Sequence, residues 1–361
     1  MVFEVLGETL LTIIQQSNYE GLSTAYAKTI VKQVLQGLDY MHAHCRIIHT
    51  DIKPENIMSV PNDLDVLENA VYAINLFKTV NFDESRMPIS LVANLSKRHH
   101  SFKPTSKKKH HRRENNVFKQ ISTLYKLENA FNDKNFIPNE EYHKTWPFCR
   151  KPSFKFKIVD IGNACWTDRQ FTNDIQTRQY RAPEIILVCG YDTSVDIWSV
   201  ACLFFELITG DYLFDPRAGS YFTPDEDHLA HIWELLGKVP EFLIKLGKDS
   251  RNFFDKNGNL RHIRDLNIWK LSEVLCLKYK FSTLEAENIS NFLLNMLDYD
   301  QMKRATAEQL LQMKFLADID DNPDMNIFRD VSDNASVCSH EQKNGLSSSS
   351  DIDSTDIYQV G

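Results

Sequence analysis

Nowhere in the 361 residues does Gly-x-Gly-x-x-Gly occur, and the 12 glycines stand far apart. No glycine loop of that form is available to wrap a phosphate. The seven cysteines (Cys45, Cys149, Cys165, Cys189, Cys202, Cys276 and Cys338) are odd in number and never spaced Cys-x-x-Cys. That pattern argues against a disulfide framework or a zinc site, and for reduced thiols in a cytosolic or nuclear protein. The most apolar run, IWSVACLFFELITG, is too short for a bilayer and contains Glu206, so no membrane span is expected. The opening MVFEVLGETLLTII carries Glu4 and Glu8 and no basic leader, which argues against a signal peptide.

A hydrophobic fraction of 42% with 11% aromatics is enough to build a core. The net charge of −8 is unevenly spread. Residues 317–361 hold ten acids against two bases, whereas residues 59–152 hold sixteen bases against ten acids. Within the latter, SKRHHSFKPTSKKKHHRR has eight Lys or Arg, four His and no acid. Such a stretch cannot bury enough apolar surface to offset chain entropy. Residues 59–152 are therefore expected to be a mostly disordered, charged spacer, and 317–361 an acidic Ser/Asp-rich disordered tail. A nuclear-localisation or anion-binding role for the basic run is the functional alternative to a solvated spacer.

Between these segments the pattern is helical. In LSTAYAKTIVKQVLQGLDYMHAHC, Ala27, Ile30, Val31, Val34, Leu35, Leu38 and Met41 recur at three and four, predicting one buried face. GETLLTIIQQS reads as a shorter amphipathic helix. FKFKIVDIGNACW alternates as a strand does, and TSVDIWSVACLFFELITG, DEDHLAHIWELLGKV, TLEAENISNFLLNMLD and ATAEQLLQMKFL read as four further helices.

The chemistry concentrates in IIHTDIKPENIM, residues 47–58, with the spacing His-x-Asp-x-Lys-x-x-Asn. Phosphoryl transfer asks a protein to orient a hydroxyl, hold magnesium against phosphates and offset developing charge. Asp51 suits the first task and Lys53 the last, while the amide oxygen of Asn56 is a hard magnesium ligand. Asp160, ending its strand, would bring a second carboxylate to the metal. His-x-Asp alone is weak evidence. Asp160-Ile161-Gly162, Ala182-Pro183-Glu184 and Asp196-x-Trp198 follow it in order, and together they remove coincidence.

These motifs resemble the carboxy-terminal lobe of eukaryotic protein kinases over residues 1–58 and 153–316. The resemblance implies a mainly α fold with short β-hairpins around the catalytic loop, ATP and Mg2+ as cofactors, and catalytic roles for Asp51 and Lys53 beside the metal ligands Asn56 and Asp160. It implies structural roles for Glu184 paired with Arg304, and for Asp196 bracing the catalytic loop. Lys53 together with Thr177 is similar to the serine/threonine class. VFEVLG, GNACW, DIQTRQYR, TGDYLF and DEDH...ELLGKVP narrow the resemblance to SR-protein kinases, which phosphorylate arginine/serine-rich splicing factors. Asp211, Asp227 and Glu234 are then the docking candidates for arginine-rich peptides, in a stretch from 211 to 234 with six acids and one Arg. A monomer without membrane or direct nucleic-acid partners, in cytoplasm and nucleus, is expected.

The sequence departs from the family pattern at several positions. Thr50 stands where most kinases have an Arg that pairs with an activation-loop phosphate, which suggests activity without that phosphorylation. Ile161 replaces the usual Phe or Leu. MVFEVLG resembles the inter-lobe hinge, with the Glu4 carbonyl, the Leu6 N–H and Met58 as adenine contacts. With no glycine loop, the amino-terminal β lobe is expected to be largely absent and Met1 to be an internal methionine of a longer ancestor. Two outcomes stay open: a working SR-type kinase, or a catalytically silent lobe that docks arginine/serine-rich proteins. A nucleic-acid binder built on residues 97–113 is a third, weaker alternative.

Overall fold

The computed structural model describes residues 4, 6–61, 155–317, 319, 327 and 328. Gly7–Ser59 with Phe154–Gly361 forms one compact unit, and Met1–Leu6 with Val60–Ser153 another. The expected spacer and most of the tail lie outside the described residues. Every helix and strand named below belongs to the first unit.

Helix α1 (Leu10–Gln16) starts at Thr9, whose hydroxyl accepts from the Thr12 N–H. Helix α2 (Thr24–Asp39) starts at Ser23, capped in the same way by Tyr26 N–H. Its buried face is the predicted one: Ala27, Ile30, Val31, Val34, Leu35 and Leu38 are at most 1% exposed. The helix does not run on to Cys45. It loosens into a π-helical turn, Tyr40–Cys45, which ends at Arg46 in the left-handed region (φ 57°). Met41 therefore sits only partly buried, against the edge of the core.

Four short strands follow: β1 (Ile47–Ile48), β2 (Ile57–Ser59), β3 (Phe156–Ile158) and β4 (Cys165–Trp166). β1 pairs antiparallel with β4, and β2 with β3, in register Ile57 to Ile158. Both ladders join residues from opposite sides of the spacer. The spacer can thus vary without moving the loop that the ladders frame, because loop-closure entropy grows only slowly with length. The strand expected from FKFKIVDIGNACW is shorter than its alternation suggests, since Asp160 turns left-handed (φ 64°) and breaks it.

The core is organised on α4 (Ser194–Thr209), whose sixteen residues are all buried. α2 packs along one side of it and α9 (Thr283–Met296) along another, while α10 (Ala307–Leu311) packs on α2. Each Leu, Ile or Phe so enclosed contributes about 1.5–3 kcal/mol over leaving it in water. α4 stops at Gly210 (φ 79°), where any Cβ would stand 1.8 Å from the Tyr19 carbonyl oxygen. α5 (Pro224–Leu236) begins at Thr223, whose side chain accepts from Glu226 N–H, and carries acids through its first turn.

Four helices have no counterpart in the sequence reading: α3 (Pro183–Leu187), α6 (Glu241–Leu246), α7 (Ser250–Phe253) and α8 (Leu271–Leu277). At four to seven residues they are too short to show a period. ATAEQLLQMKFL yields two helices, α10 and α11 (Lys314–Ala317), rather than one.

Candidate active site

The loop from His49 to Asn56 is held from beneath by one carboxylate. Asp196, on the first turn of α4 and fully buried, accepts three hydrogen bonds. His49 N–H and the His42 Nε2–H reach its Oδ2, both at 2.8 Å, and Thr50 N–H reaches its Oδ1 at 2.9 Å. Thr50 is pinned in the left-handed region (φ 71°), unusual for a β-branched residue. His49 then sets the loop's orientation. Its Nε2–H donates to the Val159 carbonyl at 3.0 Å, and its Nδ1 accepts from Asp51 N–H at 3.2 Å, which fixes one tautomer.

Asp51 is thereby turned into a polar cluster. Its carboxylate pairs with Lys53 Nζ at 2.8 Å and accepts from Thr177 Oγ1 at 2.7 Å and Asn56 Nδ2 at 3.1 Å. Lys53 also donates to Thr177 at 2.9 Å, closing a triangle between the loop and the segment before α3. Partial burial disfavours the charge on Asp51, but the hydrogen bonds from Lys53, Thr177 and Asn56 together outweigh it, so its pKa lies below the usual carboxylate value. Asp51 therefore stays ionised and ready to accept a proton.

The Asn56 amide group donates to the Asp51 carbonyl as well, at 2.8 Å, which commits its nitrogen. Val159 N–H donates to the Asn56 carbonyl at 2.9 Å, which ties the residue before Asp160 to the loop. The Asp160 carboxylate is exposed and makes no ion pair among the described residues. No cluster of three or more His, Cys, Asp or Glu that could hold a metal occurs among the described residues, so a cation here needs oxygens from water or a phosphate, as magnesium accepts.

The segment after Asp160 is fastened by Gln176, a residue that pattern reading did not single out. Gln176 is buried with φ 67°, and its N–H donates to the Thr50 carbonyl at 3.0 Å. Its side-chain amide donates to Val195 O and Ser199 Oγ, both at 2.8 Å, and its oxygen accepts Ala182 N–H at 2.9 Å. The signal that could have found it is Thr50: without an arginine to bind a phosphate, some other group must tie this segment to α4. Below it, Glu184 and Arg304, neither with any exposed side-chain surface, form a bidentate pair at 2.6 and 3.0 Å. Arg304 also donates to the Ser194 and Asp298 carbonyls.

The docking candidates all have partners. Asp211 pairs with Lys278 at 3.1 Å and accepts from Tyr279 OH at 2.9 Å. Asp227 accepts Arg217 N–H at 2.8 Å, and Glu234 accepts Asn267 N–H at 2.8 Å. Met58 is half-buried in β2, paired with Lys157. Glu4 is exposed and Leu6 half-buried, both in the other unit.

A loop that carries Asp, Lys and Asn, braced on a buried helix and tied through its backbone to the residue before a further Asp, defines the large lobe of a protein kinase. The family model described as protein kinase domain matches residues 1–67 and 135–316. Similar curated proteins include protein kinase dsk1 of Schizosaccharomyces pombe, 38% identical over 89% of this chain and 66% of its own. Serine/threonine-protein kinase SRPK of Physarum polycephalum is 39% identical over 88% and 67%, and mouse SRSF protein kinase 3 is 34% identical over 88% and 71%. The chain belongs to the protein kinase family and, within it, to the SR-protein kinases. It spans about two thirds of the length of these relatives.

Proposed function

We propose that this protein transfers the γ-phosphate of ATP to serine in arginine/serine-rich proteins. The observation that carries the reading is the Asp51–Lys53–Thr177 triangle, to which the Asn56 amide nitrogen also donates. Asp51 accepts the proton of the attacking serine hydroxyl, and Thr177 holds the carboxylate in line. Lys53 faces the charge that develops on the phosphoryl group. Asn56 and Asp160 would hold magnesium, which when bound neutralises the phosphates. Met58 is assigned to adenine. The Gln176 ties take the place of an activation-loop phosphate, so activity needs no prior phosphorylation. Asp211, Asp227 and Glu234 bind substrate arginines, which displace the internal partners of these acids. The small β lobe is largely absent from these 361 residues, a reading supported by the missing Gly-x-Gly-x-x-Gly. A monomer resident in cytoplasm and nucleus completes the proposal.

The test is phosphotransfer from Mg-ATP to an Arg-Ser repeat peptide. Asp51→Asn should lower kcat by about 10²–10⁴, the range for a general base. Peptide binding without any transfer by the original chain refutes turnover and leaves a docking lobe.

A further inference from the structure

A cleft at the outer end of the β1–β4 ladder plays no part in the proposed transfer. Cys45, Arg46, Trp166, Thr167, Asp168 and Arg169 line about 480 Å³ of it. The backbone fixes its two walls. Thr167 N–H donates to the Arg46 carbonyl at 2.9 Å, Arg169 N–H donates to the Trp166 carbonyl at 3.2 Å, and the ladder pairs Ile47 with Trp166. Arg46 and Arg169 make no ion pair with any described residue, and neither does Asp168. The Arg169 guanidinium rests 5.7 Å from the Phe171 ring. Along the short strand β4, Cys165 is turned inward at 4% exposure, whereas the indole of Trp166 is 49% exposed.

Two guanidinium groups that make no ion pair among the described residues offer the planar forks that hold a phosphate bidentately. Asp168 beside them would repel a lone anion but accepts a guanidinium, and the face of an indole attracts one. An anion site and a cation site within one small cleft suit a ligand that carries both charges on adjacent residues. We propose that this cleft binds a phosphoserine–arginine segment, with the phosphate on Arg46 and Arg169 and the arginine on Trp166 and Asp168. This rests on the proposed function, because such a segment is the product of that reaction. A phosphorylated stretch would then be held apart from the loop that modified it.

The experiment titrates the full chain with an Arg-phosphoSer repeat peptide, its unphosphorylated counterpart, inorganic phosphate and a single-stranded oligonucleotide. The variant combines Arg46→Asn, which tolerates a left-handed backbone, with Arg169→Gln. Phosphopeptide affinity should fall about tenfold or more, as for loss of charge-assisted hydrogen bonds. Affinity for the unphosphorylated peptide, phosphotransfer and the thermal midpoint should not change. Trp166→Phe should remove the fluorescence change seen on adding phosphopeptide. Unchanged phosphopeptide affinity in the double variant overturns the proposal. So does displacement of the peptide by inorganic phosphate at equal concentration, or tighter binding of the oligonucleotide. A chain that transfers no phosphate refutes the proposed function alone, since the phosphopeptide titration still gives its own answer.

Discussion

Replacing Asp196 with Asn tests whether one buried carboxylate sets the geometry of the loop above it. The carboxylate accepts two N–H groups at Oδ2 and one at Oδ1. An asparagine has a single acceptor oxygen, and it retains most by turning that oxygen toward His42 and His49. Its NH2 then meets Thr50 N–H, donor against donor. A hydrogen bond to a charged group is worth about 1.5–3 kcal/mol, so stability should fall by roughly 2–3 kcal/mol. For a unit of this size that lowers Tm by about 5–10 °C. Thr50, no longer pinned at φ 71°, would relax toward the common region and carry Asp51 with it. A displacement of about 1 Å can cost about a hundredfold in rate, so kcat should drop by about that factor with little change in peptide KM. Thermal unfolding and steady-state kinetics on the same preparation decide it. A variant with Tm within 1 °C of the original and undiminished kcat would refute the claim that Asp196 braces the loop.

Arg304→Ala leaves Glu184 fully enclosed without its partner, and should destabilise by about 3–5 kcal/mol in urea unfolding, whereas Arg304→Met with Glu184→Leu should recover most of that. Gln176→Ala removes the donor to Val195 O and Ser199 Oγ and the acceptor for Ala182 N–H, so the segment before α3 should loosen, raising peptide KM several-fold while the nucleotide KM holds. Glu206 is hydrogen-bonded by Tyr180 OH, and burial raises its pKa from 4.5 to about 7. The folded state thus retains a proton that the unfolded chain releases, and the associated stability is complete below 4.5 and lost as pH rises through 7. At 1.36 kcal/mol per pH unit the loss is about 3 kcal/mol, and Glu206→Gln should flatten it when urea midpoints are compared across that window.

The buried face of α2 was legible because six apolar positions at helical spacing have few other ways to leave water. The loop was legible because three reactive side chains fall within six consecutive residues, 51 to 56, whose spacing survives any packing. Gln176 and His42 were not. A glutamine or histidine carries no periodic signal, and each matters here through a partner more than fifteen residues away. The cleft at Arg46 and Arg169 is equally hidden, since the two are separated by more than a hundred residues and meet only through the β1–β4 ladder.

By itself, then, the chain's order of residues determined the family, the reactive side chains and the main helices, all of which depend on local spacing or apolar periodicity. Only the tertiary structure decided that Asp51 is held by Thr177, that the Asn56 carbonyl takes the N–H of Val159, and that Asp211, Asp227 and Glu234 already have partners. Those facts arise from contacts between distant segments, which hydrogen-bond geometry sets in three dimensions and sequence spacing does not encode.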